Sequence, residues 1–251
     1  MLGFNGGLMG VRRVPTTGTA SGLWFQNEQS VARRVNIWPT TGDAYWTDVS
    51  LLLHMDGTNG STTFTDSSTN NHTITVTNAT LTTSAPKFGS ASMVANGSNY
   101  IDTPTDADFS FPGDFTVELW VYVDTGQSQP GNKSFLELGS FSNGILLRTN
   151  EVYVNGSSAS ASPTVPDDQW VHVALTRSGS SVKYFVGGTE SAALTNSSTV
   201  ASSGSAKVRI GQASHTSGQY IGGKIDDVRI TKGVARYTAN FTPPTAAFPD
   251  S

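Results

Sequence analysis

The sequence contains no cysteine, which excludes disulfide frameworks, thiolate zinc sites and cysteine nucleophiles together. It also argues against an animal extracellular module, because such modules are usually cross-linked. Charge is sparse. Charged residues are 14% of the 251, against about 25% in an average globular protein, and Thr, Ser, Gly and Asn take their place. The formal net charge of −4 offers no basic footprint, so neither nucleic acid nor a membrane surface is expected as a partner. No apolar run approaches the ~20 residues that span a bilayer. Met1 to Val11 is apolar but broken by Gly3, Gly6, Gly7 and Gly10, and Arg12 and Arg13 follow the apolar stretch instead of preceding it. Neither an export signal nor a membrane anchor is expected from that order. The length suffices for a core without staples or metals and suits one large all-β domain.

What is present falls into two textures. Residues 1–48 are Gly-rich at first and end near Ile37-Trp38-Pro39. Trp24, Glu28, Val31 and Val35 fall at helical spacing, which predicts a short amphipathic helix from about Phe25 to Arg34, barred from continuing by Pro39. Such a helix needs a packing surface. From Val49 to Phe248 the period changes to two. Phe115, Val117, Leu119, Val121 and Val123 alternate with Thr116, Glu118, Trp120 and Tyr122, so one face belongs in a core and the other lines a groove or a contact. Val171, Val173 and Leu175, the turn Ser178-Gly179-Ser180-Ser181, and Val182, Tyr184 and Val186 predict a hairpin. Further strands are predicted at Phe135–Leu138, Ile145–Arg148, Glu151–Val154, Lys207–Ile210 and Lys224–Thr231, with turns at Asn143-Gly144, Asn155-Gly156 and Gly187-Gly188. One helical turn is expected over Thr231–Tyr237, and the proline-bearing end, Phe241 to Ser251, should run extended along the domain. Many short strands with almost no helix mean an all-β antiparallel sandwich or barrel.

Five blocks carry a resemblance. They are Leu51-Leu52-Leu53-His54-Met55-Asp56-Gly57 with its continuation to Ser68, Lys87-Phe88-Gly89-Ser90-Ala91-Ser92, Asp114 to Val121, Trp170-Val171-His172-Val173-Ala174-Leu175-Thr176-Arg177, and Gly223 to Tyr237. In this order they resemble laminin G-like, concanavalin A-like jelly-roll domains, which implies a two-sheet sandwich over residues 49–251. The ending Phe241-Thr242-Pro243-Pro244 is similar to that of many bacteriophage structural proteins, marine and cyanobacterial phages included. Leu23-Trp24-Phe25, Asn27-Glu28-Gln29 and Trp38-Pro39 resemble a segment near the start of phage tail and capsid-associated proteins. The resemblance implies a virion protein whose arm, residues 1–48, docks on capsid or tail through Trp24, Phe25, Glu28 and Trp38. Other virion proteins and further copies of the chain are the partners it implies. The jelly roll would be displayed outside, as head decoration, tail component or fibre.

The same fold includes β-glucan hydrolases, so carboxylate spacing matters. Glu118 and Asp124 share a strand face but would lie about 20 Å apart, and Asp114 and Glu118 about 13 Å. Glycosidic cleavage needs about 5–9.5 Å. No catalytic residues are expected, and the protein is read as a non-enzyme. His54, His72, His172 and His215 form no ligand pair at helical spacing, and His172 reads as a structural cross-strand residue. No cofactor is expected beyond a structural calcium, for which the resemblance offers Asp56, Asp66 and Asp226. The alternative is that each aspartate caps its own turn, which the lack of an Asp-x-Asp loop favours. A host-glycan-binding module is the other functional expectation, with Trp120 and Tyr122 as a stacking platform and Glu118 beside them.

Overall fold

Among the described residues, fifteen strands in two antiparallel sheets account for the period-two patterning. The computed structural model describes residues 42–202, 204 and 206–251, of which Tyr45–Asp250 form one unit. In chain order the strands are β1 (Val49–Leu53), β2 (Thr75–Thr77), β3 (Leu81–Thr82), β4 (Ser92–Ala95), β5 (Tyr100–Asp102), β6 (Phe115–Val123), β7 (Ser134–Ser140) and β8 (Asn143–Arg148). There follow β9 (Glu151–Val154), β10 (Ser157–Ser160), β11 (Trp170–Ser178), β12 (Ser181–Val186), β13 (Thr189–Thr195), β14 (Val208–Ile210) and β15 (Gly223–Lys232). The only described helices are single 3₁₀ turns at Trp46–Asp48 and Ala107–Phe109. The segment with helical spacing around Phe25–Arg34, and with it Trp24, Phe25, Glu28 and Trp38, lies outside the described residues.

The first sheet runs β13-β12-β11-β6-β15-β4-β3, with β1 also paired to β15; the second runs β10-β9-β8-β7-β14-β5-β2. One apolar core fills the space between them, taking Phe115, Val117, Leu119, Val121 and Val123 from β6 as the alternation predicts. The predicted strands match β7, β8, β9, β14 and β15 to within a few residues, and the predicted hairpin is β11–β12. Asn155-Gly156 and Gly187-Gly188 turn their hairpins with positive φ, as primed two-residue turns require. Asn143-Gly144 instead lies inside β8. There a Cβ on residue 144 would collide with the Leu138 carbonyl, so this glycine serves close strand approach and not the turn.

Strand β15 positions the site. Its residues Asp226 and Arg229 oppose Trp120 and Glu118 of β6, three steps against two, which marks a β-bulge, with Asp227 at φ 47°. Ile225, Val228 and Ile230 still enter the core. The extra residue therefore turns two consecutive aspartates outward, the re-aiming that bulges produce. On the same edge β15 passes from β4, paired at Gly223–Ile225, to β1, paired from Val228.

The outward face of the first sheet is not open to water. The chain after β15 does not form the expected helical turn. Thr116 Oγ1 donates to the Val234 carbonyl and accepts from the Arg236 amide, both at 2.9 Å, so the backbone bends across the sheet. Thr176 Oγ1 donates to the Tyr237 carbonyl at 2.8 Å. Tyr237 stacks on Phe241 with centroids 3.6 Å apart, Phe241 meets His172 and Phe185, and Phe248 is buried beneath Arg229 at 3.9 Å. The extended ending thus covers the part of the sheet face that carries Thr116, Glu118, Thr176 and Arg229.

Candidate functional site

Cross-strand register sets the rows of this covered face. Arg229, Glu118 and Ala174 form one row, Asp226, Trp120 and His172 the next, and Lys224, Tyr122 and Trp170 the third. The rows pass from sealed to open. Glu118 is fully buried. Its Oε1 accepts from Arg229 Nε and Nη2 at 2.9 and 2.8 Å, and its Oε2 contacts His172 Nε2 at 3.2 Å and accepts from the Tyr237 hydroxyl at 2.8 Å. Burial alone would raise its pKa, but Arg229, then His172 and Arg236, outweigh it and bring the carboxyl down to about 2. A carboxylate sealed beneath the C-terminal segment and held ionised cannot reach a sugar hydroxyl or donate a proton. The expected sugar contact at Glu118 is therefore corrected: its position makes it an anchor for the tail.

Trp120 and Tyr122 occupy different positions. Trp120 is 5% exposed, roofed by Phe88 in an edge contact at 5.6 Å and by Lys87, whose Nζ lies 3.9 Å from the ring centre. Tyr122 is half-buried between Trp170 at 5.7 Å and the Lys224 ammonium at 5.2 Å. The two do not make one flat platform. At their end of the sheet, however, a cleft of about 500 Å³ opens, lined among others by Lys87, Trp120, Gln169, Trp170, His172 and Pro243. Trp170 is half-buried there, its indole N–H spent on the Ala85 carbonyl at 3.2 Å. Two polar atoms of lining residues, Trp120 Nε1 and His172 Nδ1, are buried and lack partners among the described residues. Buried polar atoms in a native structure normally find a partner in protein, water or ligand. His172 Nε2 is engaged with Glu118, and whether Nδ1 donates or accepts depends on the tautomer of the ring. The cleft therefore offers an aromatic wall, Trp170, and a cation, Lys87, while the two unpartnered atoms lie buried behind its lining.

One loop builds the wall over Trp120. Asp226 Oδ2 accepts from the Lys87 and Phe88 amides at 2.8 and 3.1 Å. Asp56 Oδ1 accepts from the Ser90 amide and from Ser90 Oγ, and a side chain at Gly89, where φ is +56°, would overlap the Asp56 carboxylate. Asp66 is elsewhere and buried, accepting from the Leu52, Ser68 and His72 amides at 2.9–3.0 Å. The three expected calcium ligands therefore do not converge; each carboxylate is occupied with backbone amides, the turn-capping role. Among the described residues no cluster of His, Cys, Asp and Glu could hold a metal. The four histidines each face one carboxylate: His54 Asp227, His72 Asp108, His172 Glu118 and His215 Glu137.

Lys87, Gln169 and Trp170 were not among the residues singled out from the sequence. Trp170 stands two positions before His172, and only the β6–β11 register places it beside Tyr122. Lys87 precedes Gly89 in a loop whose path is fixed by distant aspartates.

The laminin G-like model of the concanavalin A-like lectin/glucanases superfamily matches residues 95–236, more than half of the chain. The chain belongs to this superfamily. Among solved structures, domain 4 of the extracellular arabinanase AbnA from Geobacillus stearothermophilus, in complex with arabinotriose, is similar at TM-score 0.55 and 19% identity, covering 75% of this chain and 94% of that one. The ligand-binding domain of botulinum neurotoxin serotype D in complex with N-acetylneuraminic acid is similar at TM-score 0.52 and 12% identity over 80% of this chain. The binding domain of botulinum neurotoxin DC in complex with SialylT gives 0.52 and 13% over 82%. This chain spans about half the length of those toxin domains, 50% in both. These likenesses concern the superfamily fold. No curated protein matches the sequence.

Proposed function

We propose that the protein is a non-enzymatic saccharide-binding display module of a bacteriophage virion, holding its ligand in the Trp120–Trp170 cleft. The observation that carries the binding role is the pairing of a half-buried tryptophan wall, Trp170, with the Lys87 ammonium over Trp120 in one open cleft. An apolar sugar face stacks on such a wall while its oxygens meet polar lining side chains such as Lys87 and Gln169. Sugar-bound structures among the fold relatives make a saccharide the first ligand class to test. The non-enzymatic part is supported by Glu118, which is ionised and sealed away from the cleft.

The virion setting is supported by the resemblance of Leu23 to Pro39 and of the ending Phe241-Thr242-Pro243-Pro244 to phage structural proteins. A sandwich that forms one unit from Tyr45 is compatible with residues 1–48 acting as the docking arm, although the residues proposed for docking lie outside the described ones. Retention on a panel of bacterial surface polysaccharides tests the binding role. Trp170→Ala should abolish retention while the melting transition persists; no retention by the full chain would overturn it. Release of reducing ends from a bound polysaccharide would overturn the non-enzymatic part. Deleting residues 1–45 should leave a folded sandwich that no longer enters particles, and normal incorporation would remove the docking role.

A further inference from the structure

We infer that the cleft selects a saccharide bearing a carboxylate, with Lys87 as the residue that reads the charge; this rests on the saccharide-binding reading above. The chain has six lysines. Lys133, Lys183 and Lys207 pair with Asp167, Glu190 and Asp102 at 3.0, 2.7 and 2.7 Å. Lys224 and Lys232 donate to the Ser84 and Ala107 carbonyls, both at 2.7 Å. Lys87 alone has no oxygen partner among the described residues, and its ammonium lies against the Trp120 ring inside the cleft.

The surroundings isolate that charge. Among the described residues no carboxylate lines the cleft. Asp167 and Asp168, on the loop that forms the far wall, are turned to Lys133 and to Thr125. Asp226, beneath the loop, spends Oδ2 on the Lys87 and Phe88 amides. Those two bonds, with the Asp56 grip on Ser90, fix the backbone that carries Lys87, so little ordering remains to be done when a ligand arrives. A cation held by amides, facing a cleft with no anion of its own, is matched by an anionic group on the ligand, which gains a charge-assisted hydrogen bond. The chain as a whole carries −4 and does not draw anions at long range, so the preference must originate at this residue. In the arrangement that follows, one sugar face stacks on Trp170. The carboxylate then meets Lys87 Nζ.

Matched ligand pairs test this with the full chain. Polygalacturonate against its methyl-esterified form probes a uronate source, and sialyllactose against lactose probes a sialyl source. In at least one pair the carboxylated member should bind at least about tenfold tighter. Lys87→Gln should bring the ratio within that pair to about one, and Lys87→Arg should keep it, with melting transitions confirming that both variants fold. Equal binding within both pairs, or a preference that survives Lys87→Gln, overturns the inference. If both members bind equally and Trp170→Ala removes both, the saccharide site stands and only the charge reading falls. If the wild type retains no saccharide, both readings fall.

Discussion

Glu118 and Arg229 face each other across β6 and β15, joined by two hydrogen bonds of 2.8 and 2.9 Å to one carboxylate oxygen, with 0% and 6% of their side chains exposed. Removing one partner from such a pair leaves a buried charge uncompensated. Arg229→Met should therefore cost about 3–5 kcal/mol of unfolding free energy. The double variant Arg229→Met with Glu118→Gln should recover part of that loss, because it removes the stranded charge as well. Urea denaturation of the two variants measures the difference; a double variant no more stable than the single would mean that the ion pair is not what holds this face.

The tail that covers the pair is itself a stability element. Tyr237 contributes its stack on Phe241 and its hydroxyl bond to Glu118. Tyr237→Ala should lose about 2–4 kcal/mol. Tyr237→Phe should lose about 1 kcal/mol, the hydrogen bond alone. Truncation after Gly233 should expose the apolar outer face, read as binding of a hydrophobic dye at temperatures where the full chain binds none.

Two carboxylates make stability depend on pH with opposite sign. The Glu118 carboxyl is lowered to about 2 in the folded chain, below its unfolded value. Its contribution is present above pH about 4.5 and is lost as pH falls toward 2. Burial, reinforced by the neighbouring Asp227 charge and opposed by the Phe88 and Lys87 amides, pushes Asp226 up to about 7. Between its unfolded value near 4 and about 7 the folded chain holds the extra proton, so stability falls as pH rises through that window. The melting temperature of the wild type should decline from pH 5 to pH 7.5, and Asp226→Asn should flatten that decline. An unaltered slope in Asp226→Asn would assign the dependence to another group.

The core face of β6 and the β11–β12 hairpin were legible in the sequence because period-two alternation is a local property. What covers the other face was not. Trp120 and Glu118 alternate with core residues whether a ligand or the chain itself lies over them, and Tyr237, Phe241 and Phe248 come from more than a hundred residues away. The bulge at Asp226-Asp227 was equally hidden, since one extra residue leaves no periodic trace. It explains why Asp227 leaves the core side of β15 to meet His54 and the Phe248 amide, while Asp226, still in register with Trp120, holds the 87–90 loop. Arg177 ends the Trp170–Arg177 block for a similar reason, clamping the Phe111, Gly113 and Ser198 carbonyls from a buried position. The cleft emerged from three pieces, the strand pair β6–β11, the 87–90 loop and the 163–169 loop, whose meeting no local pattern encodes.

The dependence of the cleft on its loop can be tested at Gly89. This residue has φ +56°, and a Cβ there would run into the Asp56 carboxylate that accepts from Ser90. Gly89→Ala thus meets two obstacles: left-handed backbone that β-carbon-bearing residues rarely adopt, and a polar group that cannot retreat without releasing Ser90. The loop should shift, at a cost of about 1–3 kcal/mol, and carry Lys87 off Trp120. Asp56→Ala would remove the collision but also the grip, so the double variant should not restore the loop. The measurement is tryptophan fluorescence together with saccharide retention: Gly89→Ala should alter the emission of Trp120 and weaken retention more than its loss of stability alone would. A Gly89→Ala protein with native emission and full retention would mean that Lys87 is held in place by its bonds to Asp226 and owes nothing to the Asp56 side of the loop.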